Sequence, residues 1–153
     1  MSDTKTPDQV DIRGPRFTAW VTTVVLVATL LVSGISTAAA ATILGVQAVI
    51  FAIGAVAGPR RHPYGLVFAK VVAPRLAPVR EREPVAPLKF AQLVGFVFAV
   101  LAVAGFASGA TLLGVVATAA ALVAAFLNAA FGICLGCQLY PLVARLRPAH
   151  STS

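Results

Sequence analysis

From Phe17 to Pro59 the chain carries no Asp, Glu, Lys, Arg or His, and the same holds from Phe90 to Ala144. The two uncharged stretches are 43 and 55 residues long. A bilayer is crossed by about 20 apolar residues in a helix, so each stretch has the length of two crossings. The apolar runs are continuous rather than alternating, which speaks for helices and against the strands of a membrane barrel. Four spans follow: Phe17–Ile35, Ala38–Ala57, Phe90–Gly105, and a fourth that starts near Thr111 and runs to Phe131 or beyond. Gly34, Ser36 and Thr37 interrupt the first pair, and Gly105, Ser108 and Gly109 the second. The fold expected is all-α: an integral membrane four-helix bundle made of two transmembrane hairpins, joined by a cytoplasmic loop with a short interfacial helix.

The chain divides accordingly into an N-terminal tail (1–16), hairpin 1 (17–57), a basic loop (58–89), hairpin 2 (90–140, ending in the CxxC pair) and a C-terminal tail (141–153). Within the loop, Tyr64–Val72 is apolar with one cation, too short to span and suited to the membrane surface. Pro74, Pro78, Pro84 and Pro87 then break regular structure. Arg80-Glu81-Arg82-Glu83 reads as a solvated charge cluster, and the first dozen residues and Pro148–Ser153 as mobile tails.

Charge fixes the expected orientation. Lys5, Arg13 and Arg16 precede span one; Arg60, Arg61, Lys70, Arg75, Arg80, Arg82 and Lys89 lie between spans two and three; Arg145 and Arg147 follow span four. All 12 basic residues therefore fall on one side, and the hairpin tips carry none. The positive-inside rule places that side, with both termini, in the cytoplasm of a multi-pass protein of the cytoplasmic (plasma) membrane. The net charge of +7 is thus a topology signal and a source of attraction to anionic lipid. It does not imply nucleic-acid binding, which would need a basic folded domain. A cleaved signal peptide is the rival reading of span one, with Ser36–Ala41 resembling a cleavage site, but the apolar run exceeds the usual h-region of ~7–15 residues.

Composition agrees: 59% hydrophobic and 11% charged, against roughly 45–50% and 25% in soluble domains. The hairpins also resemble copies, since Thr42–Ala48 and Thr111–Ala117 share five of seven residues, which suggests duplication. Glycines recur four apart, at Gly54 and Gly58, Gly105 and Gly109, Gly132 and Gly136, a spacing that favours close helix packing within the bundle over a dimer seam.

Candidate chemistry is sparse. Cys134 and Cys137 are the two cysteines, and at i and i+3 of a helix they share a face. Counted from Thr111, the span is used up near Phe131, so the pair emerges at the cytoplasmic interface. Three readings stay open there: redox or sulfur transfer, a soft metal, and plain packing. The reducing cytoplasm disfavours a structural disulfide but not one that cycles. A position near the C-terminal end of a long helix would disfavour a thiolate; a break near Gly136, or the approach of Arg145 and Arg147 across Pro141, would relieve this. Zinc would need His62 and His150 as further ligands, at a spacing that fits no compact module. No cofactor is expected; no span holds a His for haem. The polar residues within spans, Gln47, Gln92 and Asn128 with Thr22, Thr23, Thr29 and Thr118, are expected to form interhelical hydrogen bonds. The absence of intramembrane charge argues against proton-coupled transport but not against passage of a neutral solute.

Val10–Ala19, His62-Pro63-Tyr64-Gly65 with Pro74-Arg75-Leu76, and Phe131–Tyr140 resemble three motifs of a bacterial four-span membrane family catalogued as domain of unknown function 4395. The resemblance covers about residues 10–145. It implies sulfur or thiol chemistry, because such proteins are often encoded beside thioredoxin-like or rhodanese-like sulfurtransferases. Cys134 and Cys137 would then be the working pair, with Arg13, Arg16, His62, Tyr64 and Arg75 as motif residues on the cytoplasmic side. Arg13 and Arg16 also suit anchoring to lipid phosphates, and Tyr64 the headgroup level. The function expected is exchange of disulfide or persulfide sulfur with a cytosolic partner of that kind, Cys137 being the favoured attacker. The alternative is a small membrane channel or transport component, homo-oligomeric given its size, in which the cysteines only pack. A quinone-linked dithiol oxidoreductase would lack the second cysteine pair such enzymes use.

Overall fold

The structure, a computed structural model, describes residues 9–146. Lys5, Arg147, His150 and most of both predicted tails lie outside the described residues. Four helices are long and apolar enough to cross a membrane: α1 (Arg13–Ser33), α2 (Thr37–Ala57), α4 (Val85–Ser108) and α5 (Thr111–Phe131). Between α2 and α4 runs a short helix, α3 (Pro63–Val67), continued by a π turn (Phe68–Val72) and a 3-10 turn (Ala73–Arg75). A last helix, α6 (Leu135–Leu146), follows α5. The fold is all-α, with one minimal ribbon: β1 (Gln9–Asp11) pairs antiparallel with β2 (Arg82–Pro84), Val10 opposite Glu83.

The bundle is a closed ring in which α1 touches α2 and α5, and α4 touches α2 and α5. Its lateral surface is apolar, with Val24, Leu31, Val46, Val56, Leu112 and Val116 more than half exposed. Its interior is built from small residues and from threonines: Thr18, Thr22, Thr23 and Thr29 lie on the inner face of α1 and Thr118 on that of α5. Three of the hydroxyls bond within their own helix, Thr23 to the Ala19 carbonyl, Thr29 to Val25 and Thr118 to Gly114, so they do not bridge helices as expected. The half of the bundle toward the hairpin tips is filled by a cluster of Leu26, Ala40, Leu44, Ala102, Phe106 and Ala117.

Each tip has its own stop signal. Ser36 caps α2, its side chain accepting the Ala39 N–H at 3.1 Å. Gly109 ends α4 at φ 85°, a left-handed conformation that favours glycine. The glycine pairs at four-residue spacing each divide two jobs. Gly58, Gly109 and Gly132 have positive φ, whereas Gly54, Gly105 and Gly136 lie against a neighbouring segment. The spacing is therefore a packing site beside a helix end, all within one chain, rather than a seam along one helix.

The repeat does not place matched residues alike. Identity aligns Leu44 with Leu113 and Gly45 with Gly114, but the buried positions are Leu44, Gln47, Ala48 and Phe51 in α2 and Gly114, Ala117, Thr118 and Ala121 in α5, one residue out of step with that alignment.

A Cβ on Gly105 would stand 2.5 Å from the Gly114 backbone nitrogen, whereas one on Gly45 would meet nothing within 4 Å. Gly105→Ala should then cost about 1–3 kcal/mol, and Gly45→Ala should be neutral to mildly stabilising. Unfolding titrations of the two variants in detergent micelles check the contrast.

Candidate functional site

All ten basic residues among those described gather at the end of the bundle opposite the tips, with β1, β2, α3 and α6. The loop is locked into this end. His62 is 1% exposed. Its Nδ1 accepts the Tyr64 N–H at 3.2 Å, capping α3, and its Nε2 meets Gln92 Oε1 of α4 at 3.1 Å. Gly54 of α2 makes the room: an added Cβ would lie 2.6 Å from the His62 ring. Tyr64 reaches down to donate its hydroxyl to Gln47 Oε1 at 2.8 Å. The two intramembrane glutamines thus bond to the loop rather than to other spans, and Gln47 Nε2 is buried with no partner among the described residues. Burial holds His62 well below its usual pKa, at about 4, and pushes the Tyr64 phenol up.

The arginines of the first motif hold protein groups instead of waiting for lipid. Arg13 clasps Asp11 through Nε and Nη2 (2.8–3.1 Å), and Asp11 is held below its usual pKa by that pairing. Arg16 reaches across to α5 and donates to the carbonyls of Ala129 (3.2 Å) and Ala130 (3.5 Å). A cation there satisfies carbonyls left open at a helix C-terminus and complements its dipole. In the Arg80–Glu83 cluster the first three residues are exposed, as a solvated cluster requires, but the backbone is ordered: Arg82–Pro84 forms β2 and the Glu81 carbonyl accepts the Ile12 N–H at 3.2 Å. Glu83 is half-buried, and that burial raises its pKa. Arg75 ends the 3-10 turn, exposed and with no polar partner among the described residues.

Just past the Arg16 contact the fourth long helix stops. Gly132 takes φ 71°, its N–H bonding back to Asn128 and that of Ile133 to Leu127. The chain then restarts as α6, so the cysteines do not ride on the end of a long helix as the length count suggested. Cys134 precedes the first residue of α6 as its cap: its carbonyl accepts the Gln138 N–H (3.0 Å), and its Sγ accepts the Cys137 N–H (3.1 Å). Cys134 and Cys137 are joined as a disulfide with Cα atoms 5.1 Å apart, and both are half-exposed. Gly136 seats α6 on α4; a Cβ there would lie 2.7 Å from Ala91 Cα. The Tyr140 ring packs against that of Phe90, tilted by 57° with centroids 5.9 Å apart.

Beneath the disulfide lies a cleft of about 110 Å³ between α1, α4 and α5, lined by Thr18, Thr22, Gln92, Phe98, Asn128 and Cys134 among others. Asn128 shares a wall of the cleft with Cys134, and instead of the interhelical hydrogen bond expected of it, its side chain has no hydrogen-bond partner among the described residues. Sequence reasoning missed the cleft and the capping role of Arg16. The signal for the latter was a Gly-containing break just after an uncharged helix end. No cluster of His, Cys, Asp and Glu suited to a metal occurs among the described residues.

The family model described as domain of unknown function (DUF4395) matches residues 10–145, and the chain belongs to that family. It is a multi-pass membrane protein. No curated protein and no solved structure matches it.

Because His62 stays neutral in its site until about pH 4 and titrates near 6.5 once freed, the loosened loop binds the extra proton. Docking of the loop should therefore be intact above pH 6.5, weaken progressively toward pH 4, and level off below. The full loss is roughly 3 kcal/mol. Hydrogen exchange at the Tyr64 and Leu66 amides should accelerate across that window, and His62→Gln should flatten the profile.

Proposed function

We propose that this protein exchanges disulfide or persulfide sulfur between its Cys134–Cys137 pair and a cytosolic thioredoxin-like or rhodanese-like partner, at the inner face of a bacterial cytoplasmic membrane. The observation that carries the reading is the break at Gly132, which puts the cysteines at the start of a helix, half-exposed, with a backbone N–H donated to Cys134 Sγ. A helix N-terminus favours a thiolate, by about 0.3–1 kcal/mol when exposed. That reverses the dipole objection and moves the preferred attacking sulfur from Cys137 to Cys134. The gathering of the basic residues at the same end supports a cytoplasmic position for the pair and both termini.

In the disulfide direction, a thiolate of the partner attacks one sulfur and expels the other cysteine as thiolate. A second partner thiol then resolves the mixed disulfide, leaving this pair reduced and the partner oxidised. In the persulfide direction, the reduced Cys134 thiolate takes the outer sulfur of a partner persulfide and releases the partner's thiolate. Cys137 then attacks Cys134 Sγ and expels hydrosulfide as the disulfide closes. The conduit alternative gains no support from the interior, since the cleft ends against the packed cluster around Leu26, Leu44 and Phe106.

Cys137→Ser should trap a mixed disulfide with the soluble partner through Cys134, and Cys134→Ser should trap far less. The double variant should fail to rescue a deletion strain. Full rescue by the double variant would reduce the cysteines to packing residues.

A further inference from the structure

The cleft beneath the disulfide holds more polar groups than its packing uses. Thr18 and Thr22, one turn apart on α1, both line it and are only 7% and 4% exposed. Thr23, Thr29 and Thr118 each bond the carbonyl four residues back. Among the described residues no hydrogen bond reaches the hydroxyl of Thr18 or of Thr22, and the Asn128 amide in the same lining is in the same condition. We infer, resting on the exchange reading above, that this cleft binds hydrogen sulfide and delivers it to Cys134 of the closed disulfide.

Size, charge and position select that ligand. A volume of about 110 Å³ is the share of roughly three to four waters, room for a sulfide and a water or two but not for a peptide thiol. None of the lining residues is charged, so the species that enters is neutral. Hydrogen sulfide is neutral until it gives up its first proton, which it does near neutral pH. The two hydroxyls and the amide can then donate to the hydrosulfide anion, which a purely apolar wall could not do. Cys134 stands in the wall and Cys137 does not, so a nucleophile held here has Cys134 as its target and Cys137 as its leaving group. Hydrosulfide attacks Cys134 Sγ, the S–S bond breaks, and Cys137 leaves as a thiolate that takes up the proton given up by hydrogen sulfide. The sulfide sulfur is oxidised to the outer sulfur of a Cys134 persulfide while the disulfide is reduced, so the step needs no further oxidant. It is the reverse of the closure in which Cys137 expels hydrosulfide.

The test opens the disulfide of the oxidised full-length protein, held in bilayer nanodiscs, with sodium sulfide and separately with glutathione. Alkylation and mass spectrometry of both cysteine peptides read the products. Sulfide should leave its persulfide on Cys134. The Thr18→Val/Thr22→Val variant keeps the shape of the cleft and removes both hydroxyls. It should slow the sulfide reaction about tenfold and keep the glutathione reaction within about twofold, because glutathione is too large for the cleft. Ala124→Leu, which fills the cleft and keeps the hydroxyls, should separate the two nucleophiles in the same way. An equal loss for both nucleophiles, sulfide rates unchanged in both variants, or persulfide mainly on Cys137 overturns the inference and leaves the exchange reading standing. A disulfide that neither sulfide nor glutathione opens overturns both.

Discussion

Inside a bilayer a peptide group has no water to bond with, so every residue at that depth must be in a helix or against protein. This constraint orders the molecule. The uncharged segments form four long helices, and the irregular backbone, including the ribbon, the π and 3-10 turns and the break at Gly132, is collected at the end that carries the charge. The interior of the ring needs no hydrophobic drive. It is held by close approach at small residues such as Gly105 against Gly114 and by a few buried large side chains, Leu26, Leu44 and Phe106, while many of the other bulky aliphatic side chains face outward.

The charged end is a cap assembled from separate parts of the chain. The loop contributes His62 and Tyr64, which satisfy the glutamines of α4 and α2. The ribbon ties the start of α1 to the approach of α4. Arg16 joins the start of α1 to the end of α5 through two carbonyls, one turn before the cysteine-bearing corner. The cysteine pair is therefore fixed by three neighbours of different kinds: an arginine that closes the preceding helix, a glycine that turns the chain, and Gly136 pressed on Ala91.

Much of this could be read from residue order. The charge-free stretches gave the four helices, and Gly109 and Ser36 marked their tips correctly, because length, polarity and capping are local properties. What could not be read were the partners. Gln47 and Gln92 were assigned to other spans, but their mates are loop residues 17 and 30 positions away, brought in by a tertiary turn at Gly58 that no periodicity encodes. The helix carrying Cys134 looked continuous because nothing charged interrupts Phe90–Ala144. Gly132 alone stops it, and a lone glycine in an apolar run is tolerated as often as it caps. The repeat misled in another way: similar residues on two helices need not share a phase, and here the buried faces differ by one position.

The restart of the chain at Leu135 gives Cys134 a donor that Cys137 lacks. Competitive alkylation of the reduced full-length protein at neutral pH, read by mass spectrometry of both cysteine peptides, tests this directly. Cys134 should react about two- to fivefold faster than Cys137, as a helix N-terminus worth about 0.3–1 kcal/mol requires. Equal rates, or a faster Cys137, would contradict it.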